Sequence, residues 1–101
     1  GKTLLGVFLF LPRNHTCFEA HIAFLPDGWG AAAKCSVMAF KWIFKYTLCR
    51  KIIAEIPVYN RLVVKAARDS GMTEFGVNTA SFLKGGKLRD QVLLGIKKQE
   101  N

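Results

Sequence analysis

The sequence alternates strand-length apolar segments with two longer segments of helical periodicity, and this order is the strongest constraint on its fold. Five strands are expected, at Thr3–Leu11, Thr16–Leu25, Lys51–Val58, Met72–Phe82 and Leu88–Ile96. Helices are expected from about Ala31 to Thr47 and from Asn60 to Ser70. A strand–helix–strand step requires a crossover and some parallel pairing. The order β-β-α-β-α-β-β therefore predicts an α/β fold, an α+β mixed sheet with helices on its faces.

Turn signals and apolar periodicity add detail to this prediction. Pro12 and the residues after it close a first hairpin, and Lys84-Gly85-Gly86-Lys87 predicts a second one. The apolar stripe that should face the core of the first helix is Cys35, Met38, Ala39, Trp42, Ile43 and Tyr46. In the second helix the inward positions are Leu62, Val63, Ala66 and Ala67, and Gly71 ends the helix.

Net charge and cysteine content limit the partners. The chain has 101 residues and a formal net charge of +8, which favours nucleic acid, a membrane surface or a phosphorylated cofactor. The basic residues are spread along the chain, so nucleic acid is not the expected partner, and no apolar run is long enough for a membrane span. The three cysteines have no CxxC spacing, which predicts reduced thiols in the cytoplasm and no metal site.

The junction between the second strand and the first helix has the composition of a phosphate-binding loop. Gly28, Gly30 and the three alanines of residues 31–33 are small enough for a diphosphate to approach the backbone. A helix N-terminus supplies unpaired N–H groups there, and Lys34 can add a cation. Glycine-rich loops before helices are common, so a purely structural turn is the alternative.

Four polar residues near these junctions are candidates for chemistry. Glu19 and His21 lie on one face of the second strand, which makes them the best acid–base pair, although a solvated face would also accommodate them. Glu55 is a weaker candidate on the next strand. Asn60 can cap its helix or reach a ligand with its side-chain amide.

Three stretches of the sequence together resemble one enzyme family. They are HIAFLPDGWGAAA (residues 21–33), IPVYNRLVVKAARDSGMTEFG (residues 56–76) and SFLKGGKLRDQVLLGIKK (residues 81–98). They are similar to the fourth strand and pyrophosphate loop, the asparagine-initiated helix, and the closing hairpin of GCN5-related N-acetyltransferases (GNAT), including short phage-encoded versions. The resemblance implies a single GNAT-like domain over residues 1–101 that lacks the family's N-terminal strand and helices.

The resemblance also implies a site. Acetyl-CoA would be the co-substrate and an amine, on a protein or a small molecule, would accept the acetyl group. The pantetheine arm would enter a gap between two splayed parallel strands and pair with the backbone of Phe24 and Leu25. Asn60 would reach the cofactor, Glu19 would take the proton of the amine, and a backbone N–H near Phe24 would stabilise the oxyanion. The amides that would bind the pyrophosphate are those of Trp29, Gly30, Ala31, Ala32, Ala33 and Lys34.

Three functional hypotheses stay open at the level of sequence. The first is an acetyltransferase or its recognisable core. The second is a catalytically inactive GNAT-fold module with a phage assembly or partner-binding role, favoured by Ala67 at the position where the family often has a tyrosine. The third is a small basic nucleic-acid-binding domain. The missing N-terminal elements also predict uncovered sheet edge and self-association as a homo-oligomer, or a further N-terminal region.

Overall fold

The computed structural model describes residues 6–99, which form five strands and three helical segments. In chain order these are β1 (Gly6–Pro12), β2 (Cys17–Phe24), a 3-10 helix (Pro26–Ala31), α1 (Ala32–Tyr46), β3 (Lys51–Pro57), α2 (Arg61–Asp69), β4 (Thr73–Lys84) and β5 (Lys87–Lys97). The order of strands and α-helices predicted from sequence is confirmed. The predicted strand start at Thr3 lies outside the described residues.

The five strands form one mixed sheet with the order β1-β2-β3-β5-β4. Neighbouring strands are antiparallel except for β2 and β3, which are parallel because α1 crosses between them. The predicted glycine hairpin is present as a two-residue turn between β4 and β5. Gly85 and Gly86 have φ angles of +62° and +75°, a backbone region that glycine enters without the strain a side chain would add.

Both helices pack on the same face of the sheet. The alternate residues Ile52, Ala54 and Ile56 of β3 are buried in one cluster with Phe40 and Ile43 of α1 and with Val63, Val64 and Ala67 of α2. Burial of every second residue is the expected pattern for a strand with one covered face. The expectation of helices on more than one face is therefore wrong for residues 6–99.

The buried stripe of α1 differs from the predicted one. Ala32, Ser36, Phe40 and Ile43 are buried, whereas Met38, Trp42 and Tyr46 are 63%, 58% and 61% exposed. The helix carries two apolar stripes, and the sheet covers the one that contains Phe40, whose ring lies 6.3 Å from that of Phe10 on β1. Periodicity identifies both stripes but cannot say which one the sheet will cover.

The second helix is closer to its prediction. Val63, Ala66 and Ala67 are buried as expected, and Val64 is buried as well. Leu62 was expected to face inward but is 57% exposed, because it lies beside the first helix near its N-terminal end and not over the sheet. Gly71 follows the helix with φ of +103°, as a glycine at a helix end commonly does.

One negative finding concerns membranes. Among residues 6–99, no helix combines the length and the apolar character needed to cross a bilayer.

Candidate functional site

The parallel strands β2 and β3 pair over only three residues and then separate. Their register joins Cys17, Phe18 and Glu19 to Lys51, Ile52 and Ile53, yet β2 continues to Phe24 and β3 continues to Pro57. The outer edges of both strands stay paired along their length, with β1 and with β5. The inner edges beyond Glu19 and Ile53 therefore present backbone N–H and C=O groups to a gap, where an extended ligand could complete the pairing.

A small cavity of about 160 Å³ occupies this gap. Its walls are the separated parts of both strands and the start of α2: Ala20, His21, Ile22, Ala54, Glu55, Ile56, Pro57, Asn60 and Val63. The predicted splaying of the two strands is thus present in the structure. Three of the candidates named from the sequence line the cavity: His21, Asn60 and the weaker candidate Glu55.

The junction after β2 is more ordered than a loop. Residues 26–31 form a 3-10 helix, in which the Gly28 amide donates to the carbonyl of Leu25 at 2.8 Å. The Ala32 amide donates to the carbonyl of Trp29, so it is already bonded within the turn. The Trp29 ring lies 5.4 Å from that of Phe24, and this contact anchors the 3-10 helix on the sheet. The residues predicted to bind the pyrophosphate through their amides, 29–34, therefore span the end of the 3-10 helix and the first turn of α1, and the Ala32 amide is committed to a local bond.

The small residues at this junction are small for different reasons. Ala32 is fully buried, so its size is required by packing against the core. A Cβ atom placed on Gly30 would meet nothing within 4 Å, so no contact inside the protein requires a glycine there. Ala33 is half-buried and lines a cavity between this junction and α2. Gly30 and Ala33 are consequently the positions where smallness leaves room for a molecule outside the chain.

A second cavity of about 340 Å³ adjoins this junction, between the first helical residues and α2. Trp29, Gly30 and Ala33 form one wall, and Leu62, Lys65, Ala66 and Asp69 form the other. Lys65 forms an ion pair with Asp69 one turn later and places an ammonium group at the rim. Lys65 is not among the residues predicted from the sequence, although its position five residues after Asn60 on the same helix was the available signal.

Asn60 occupies the N-cap position of α2 without using its side chain as a cap. Its carbonyl accepts the Val64 amide at 3.1 Å, as the N-cap residue of a helix does. Its side chain makes no capping hydrogen bond, and the residue lines the cavity in the gap. Of the two interpretations open for Asn60, the structure disfavours the side-chain cap and is compatible with a side chain directed to a ligand.

Glu19 lies at the last paired position of β2, at the base of the gap. The Arg13 Nη2 atom donates a hydrogen bond to Glu19 Oε1 at 3.1 Å, and His21 Nε2 lies 3.4 Å from Glu19 Oε2. Burial acts to raise the pKa of Glu19, but the hydrogen bond and charge of Arg13, together with His21, outweigh it and hold the pKa below its usual range. Glu19 is thereby a weaker base than an ordinary carboxylate, whereas His21 is half-exposed and lines the gap.

The position where the family often has a tyrosine contributes nothing to the site. Ala67 is fully buried in the core beneath α2. No hydroxyl can therefore come from this position.

Leu25, predicted to pair with a ligand through its backbone, already accepts the Gly28 amide at its carbonyl, and Phe24 pairs with Gly6 on its outer edge.

Comparison with known proteins identifies the fold. No protein-family profile and no curated protein sequence matches the chain. Among solved structures, the Vibrio cholerae spermidine N-acetyltransferase in complex with CoA and spermine has a TM-score of 0.85 at 24% identity, covering 95% of this chain and 59% of that one. A dodecameric structure of spermidine N-acetyltransferase from Vibrio cholerae gives a TM-score of 0.83 at 25% identity, covering 95% of this chain and 58% of that one.

A third structure comes from another organism. The GNAT-family acetyltransferase from Bacillus anthracis has a TM-score of 0.83 at 21% identity, covering 92% of this chain and 58% of that one. The chain thus spans just under 60% of the length of these three structures. The expected GNAT fold is confirmed. None of the three is a phage protein, so the likeness to phage-encoded versions stays a prediction.

Proposed function

We propose that this chain, which has the fold of GNAT acetyltransferases, binds acetyl-CoA in the gap between β2 and β3 and forms the cofactor-binding part of an amine N-acetyltransferase. The observation that carries the proposal is the parallel pair that stops at Glu19 and Ile53. Strand edges inside a sheet are normally paired, because unpaired buried backbone groups are costly. Two facing edges left open at a cavity are a reason to expect a ligand that supplies the missing hydrogen bonds.

The residues around the gap fit the chemical parts of acetyl-CoA. The open edges beyond Ala20 and Ala54 suit an amide-containing arm such as pantetheine. The space over Gly30 and Ala33 lies at a helix N-terminus, where N–H groups and the helix dipole favour a diphosphate. Lys65, paired with Asp69, places an ammonium group at the rim of the same space, and Asn60 lines the gap at the other junction.

The proposed reaction transfers an acetyl group to an amine. The amine nitrogen would form a bond to the thioester carbonyl carbon, and the carbon–sulfur bond would break with its electron pair going to sulfur. The amine proton would pass to a base, and the departing CoA thiolate would take up a proton from water. We assign the base to His21, with Glu19 as a positioning residue, because His21 lines the gap while the lowered pKa of Glu19 makes its carboxylate a poor acceptor. A proton on His21 Nε2 directed at Glu19 would leave Nδ1 to accept the amine proton.

Binding of acetyl-CoA is the first test. Calorimetric titration of the purified chain with acetyl-CoA, and with ATP as a control for nonspecific phosphate binding, should give saturable micromolar affinity for acetyl-CoA and weaker affinity for ATP. Equal affinities would indicate a general phosphate site. Absence of binding to a sample with native circular dichroism would contradict the proposal.

Turnover is the second test. Spermidine is a reasonable first amine, because one structural neighbour is a spermidine acetyltransferase. His21→Ala should abolish release of free thiol from acetyl-CoA, while Glu19→Gln should lower the rate and shift its pH profile. An unchanged rate in His21→Ala would remove His21 from the role of base.

A catalytically inactive acetyl-CoA-binding module is the second candidate. Two observations favour it: Ala67 is buried at the position of the family's tyrosine, and Arg13 keeps the Glu19 carboxylate ion-paired. Acetyl-CoA binding without thiol release across a panel of mono-, di- and polyamines would select this candidate. The reduced thiols of Cys17, Cys35 and Cys49, all unpaired with one another, suit the cytoplasm under either candidate.

Self-association is part of the proposal. In the described part of the chain, β1 is an edge strand, and Val7, Leu9 and Leu11 on its uncovered face are 54%, 55% and 44% exposed. A long apolar edge strand favours pairing with another copy. One neighbour is dodecameric. Light scattering coupled to size-exclusion chromatography should show an oligomer, and a monodisperse monomer would contradict this part.

A further inference from the structure

A larger cavity, of about 680 Å³, lies at the end of the molecule opposite the gap. Strand β3 runs from Lys51 at that end to Pro57 at the gap, and β5 runs the other way and ends at Lys97 opposite Lys51. The cavity is enclosed by the second half of α1, the turn after α2 at Ser70 and Gly71, and the last residues of β5. It shares no lining residue with either cavity of the candidate acetyl-CoA site.

The lining combines an apolar floor with a cationic rim. The floor is formed by Val37, Phe40, Phe44 and Ile96, and the rim carries four lysines: Lys41, Lys45, Lys97 and Lys98. Among residues 6–99, no carboxylate lines the cavity. The one hydroxyl in the wall, that of Ser70, is buried and donates to the Ala67 carbonyl at 2.6 Å. The floor is therefore apolar, Gln99 adds an uncharged amide to the lining, and the charged residues among those described in the lining are all cationic.

The positive surface continues beyond the rim. A neighbouring cavity of about 480 Å³ is lined by Arg50, Lys51, Lys97 and Lys98. The four lysines of the first cavity have the same charge, and an anion bound among them would reduce their mutual repulsion. A cluster of this kind beside an apolar cavity is complementary to a molecule that has an anionic end and an apolar body.

We propose that this cavity binds a small anionic amphiphile, with the apolar body on the floor and a carboxylate at the four lysines. The volume is within the range of small-molecule sites, which is about 300 to 1,000 Å³. Lysine ammonium groups form charge-assisted hydrogen bonds with carboxylates, and the apolar floor gains free energy in proportion to the area that leaves water. This site is independent of acetyl-CoA binding in the gap.

The aromatic residues in the lining suit an alkyl chain better than the bases of a nucleic acid. Binding of single-stranded nucleic acid relies on exposed aromatic rings on which bases stack. Of the two aromatic rings in the lining, Phe40 is 2% exposed and Phe44 is half-buried and packed against the core. A base therefore has no ring face to stack on inside the cavity, whereas an alkyl chain needs only apolar contact.

The first experiment compares head groups on one chain length. Decanoate, decyltrimethylammonium and a neutral decyl glucoside are titrated into the wild-type protein by calorimetry, without and with saturating acetyl-CoA. We expect decanoate to bind at least about tenfold more tightly than the other two, and added salt to weaken it, because the selectivity is electrostatic. The affinity for decanoate should be the same in the presence of acetyl-CoA.

The second experiment uses matched variants. Lys41 and Lys45 are exposed on α1, so the double variant Lys41→Glu/Lys45→Glu should fold, which circular dichroism checks. It should weaken decanoate binding by about tenfold or more, whereas Lys87→Glu at the distant β4–β5 turn should leave it unchanged. Val37→Phe, which adds volume inside the cavity, should weaken decanoate binding with the lysines intact.

Three results would overturn the proposal. The first is equal affinity for the three head groups. The second is equal decanoate affinity in Lys41→Glu/Lys45→Glu and Lys87→Glu. The third is displacement of decanoate by acetyl-CoA, which would assign it to the gap. Tight binding of a single-stranded oligonucleotide that depends on Lys41 and Lys45, without saturable decanoate binding, would replace the amphiphile with a polyanion.

Discussion

The two junctions at which a strand leads into a helix lie at the same end of the sheet but are built differently. After β2, a 3-10 helix carries small residues, and the amides of Gly28 and Ala32 bond to carbonyls of the same turn. After β3, the chain enters α2 directly at Asn60, whose side chain caps nothing. The first junction offers backbone and open space, and the second offers one polar side chain. A polar group that is available to a ligand is therefore best recognised by the absence of a hydrogen-bond partner within its own turn or helix.

The largest expected effect comes from adding a negative charge at the first junction. Ala33→Asp places a carboxylate beside the space over Gly30, so acetyl-CoA affinity should fall by about a hundredfold through repulsion of its phosphates. An acidic residue in the first turn of a helix stabilises it through the macrodipole, so the variant should not unfold. Ala33→Asn is the neutral control. Equal calorimetric affinities of the Asp and Asn variants for acetyl-CoA would show that its phosphates do not bind at this junction.

A smaller effect is expected at the second junction. Loss of a side-chain N-cap usually costs about 0.5 to 2 kcal/mol, but Asn60 makes no capping bond, so Asn60→Ala should lower the free energy of unfolding by less than about 0.5 kcal/mol. The same variant should weaken acetyl-CoA binding by about tenfold. Urea denaturation and calorimetry measure the two quantities. A large loss of stability with unchanged affinity would restore the capping role.

Gly30 tests whether space alone matters at the first junction. Since a Cβ there meets no protein atom, Gly30→Ala should leave stability unchanged or raise it by about 0.4 to 1 kcal/mol. Acetyl-CoA affinity should fall by about threefold because the methyl group occupies the approach to the backbone. Gly86→Ala is the opposite control: its φ of +75° should make it destabilising without any effect on affinity. Unchanged affinity in Gly30→Ala would show that no ligand approaches there.

The smallest expected effect concerns Glu19, which is close to neither junction. The pKa of Glu19 is lower in the folded chain than in the unfolded one. Its ion pair with Arg13 therefore stabilises the fold at pH values above the usual glutamate pKa of about 4.3. That contribution is lost as the pH falls through the folded-state pKa. Glu19→Gln should therefore be less stable than wild type at pH 7, by under about 1 kcal/mol because Arg13 is half-exposed, and equally stable at strongly acidic pH. A stability difference independent of pH would show that the charge of Glu19 plays no part.

The sequence predicts the strands and helices of this fold better than it predicts which of their side chains are buried. The strands around Gly85-Gly86 and the helix that ends before Gly71 follow from local rules of turn geometry, and those rules hold here. Met38, Trp42 and Tyr46 were misplaced because α1 has two apolar stripes and only the tertiary fold selects one. The 3-10 helix at residues 26–31 was expected as a loop, since glycine, proline and aspartate are typical of both.

The candidate site shows the same division. The splaying of β2 and β3 and the position of Asn60 were available from the family resemblance, since each follows from chain order and a short motif. Lys65 and the second cavity were not, because they depend on how α2 lies against the start of α1. The proposal that His21, and not Glu19, is the base was also out of reach. It depends on Arg13, six residues earlier and across the first hairpin turn, binding the carboxylate.

The short seam between β2 and β3 also divides the sheet into two ribbons, β1–β2 and β3–β5–β4. Each ribbon is antiparallel, with two register shifts in the β4–β5 ladder, while the seam between the ribbons spans three paired positions. Amide hydrogen exchange should therefore report two cooperative units, with faster exchange along the inner edge of β2 than along β5. A molecule bound across the gap would hydrogen-bond to both ribbons, so the two units would exchange as one. Occupancy of the gap would then be visible as a change in folding cooperativity.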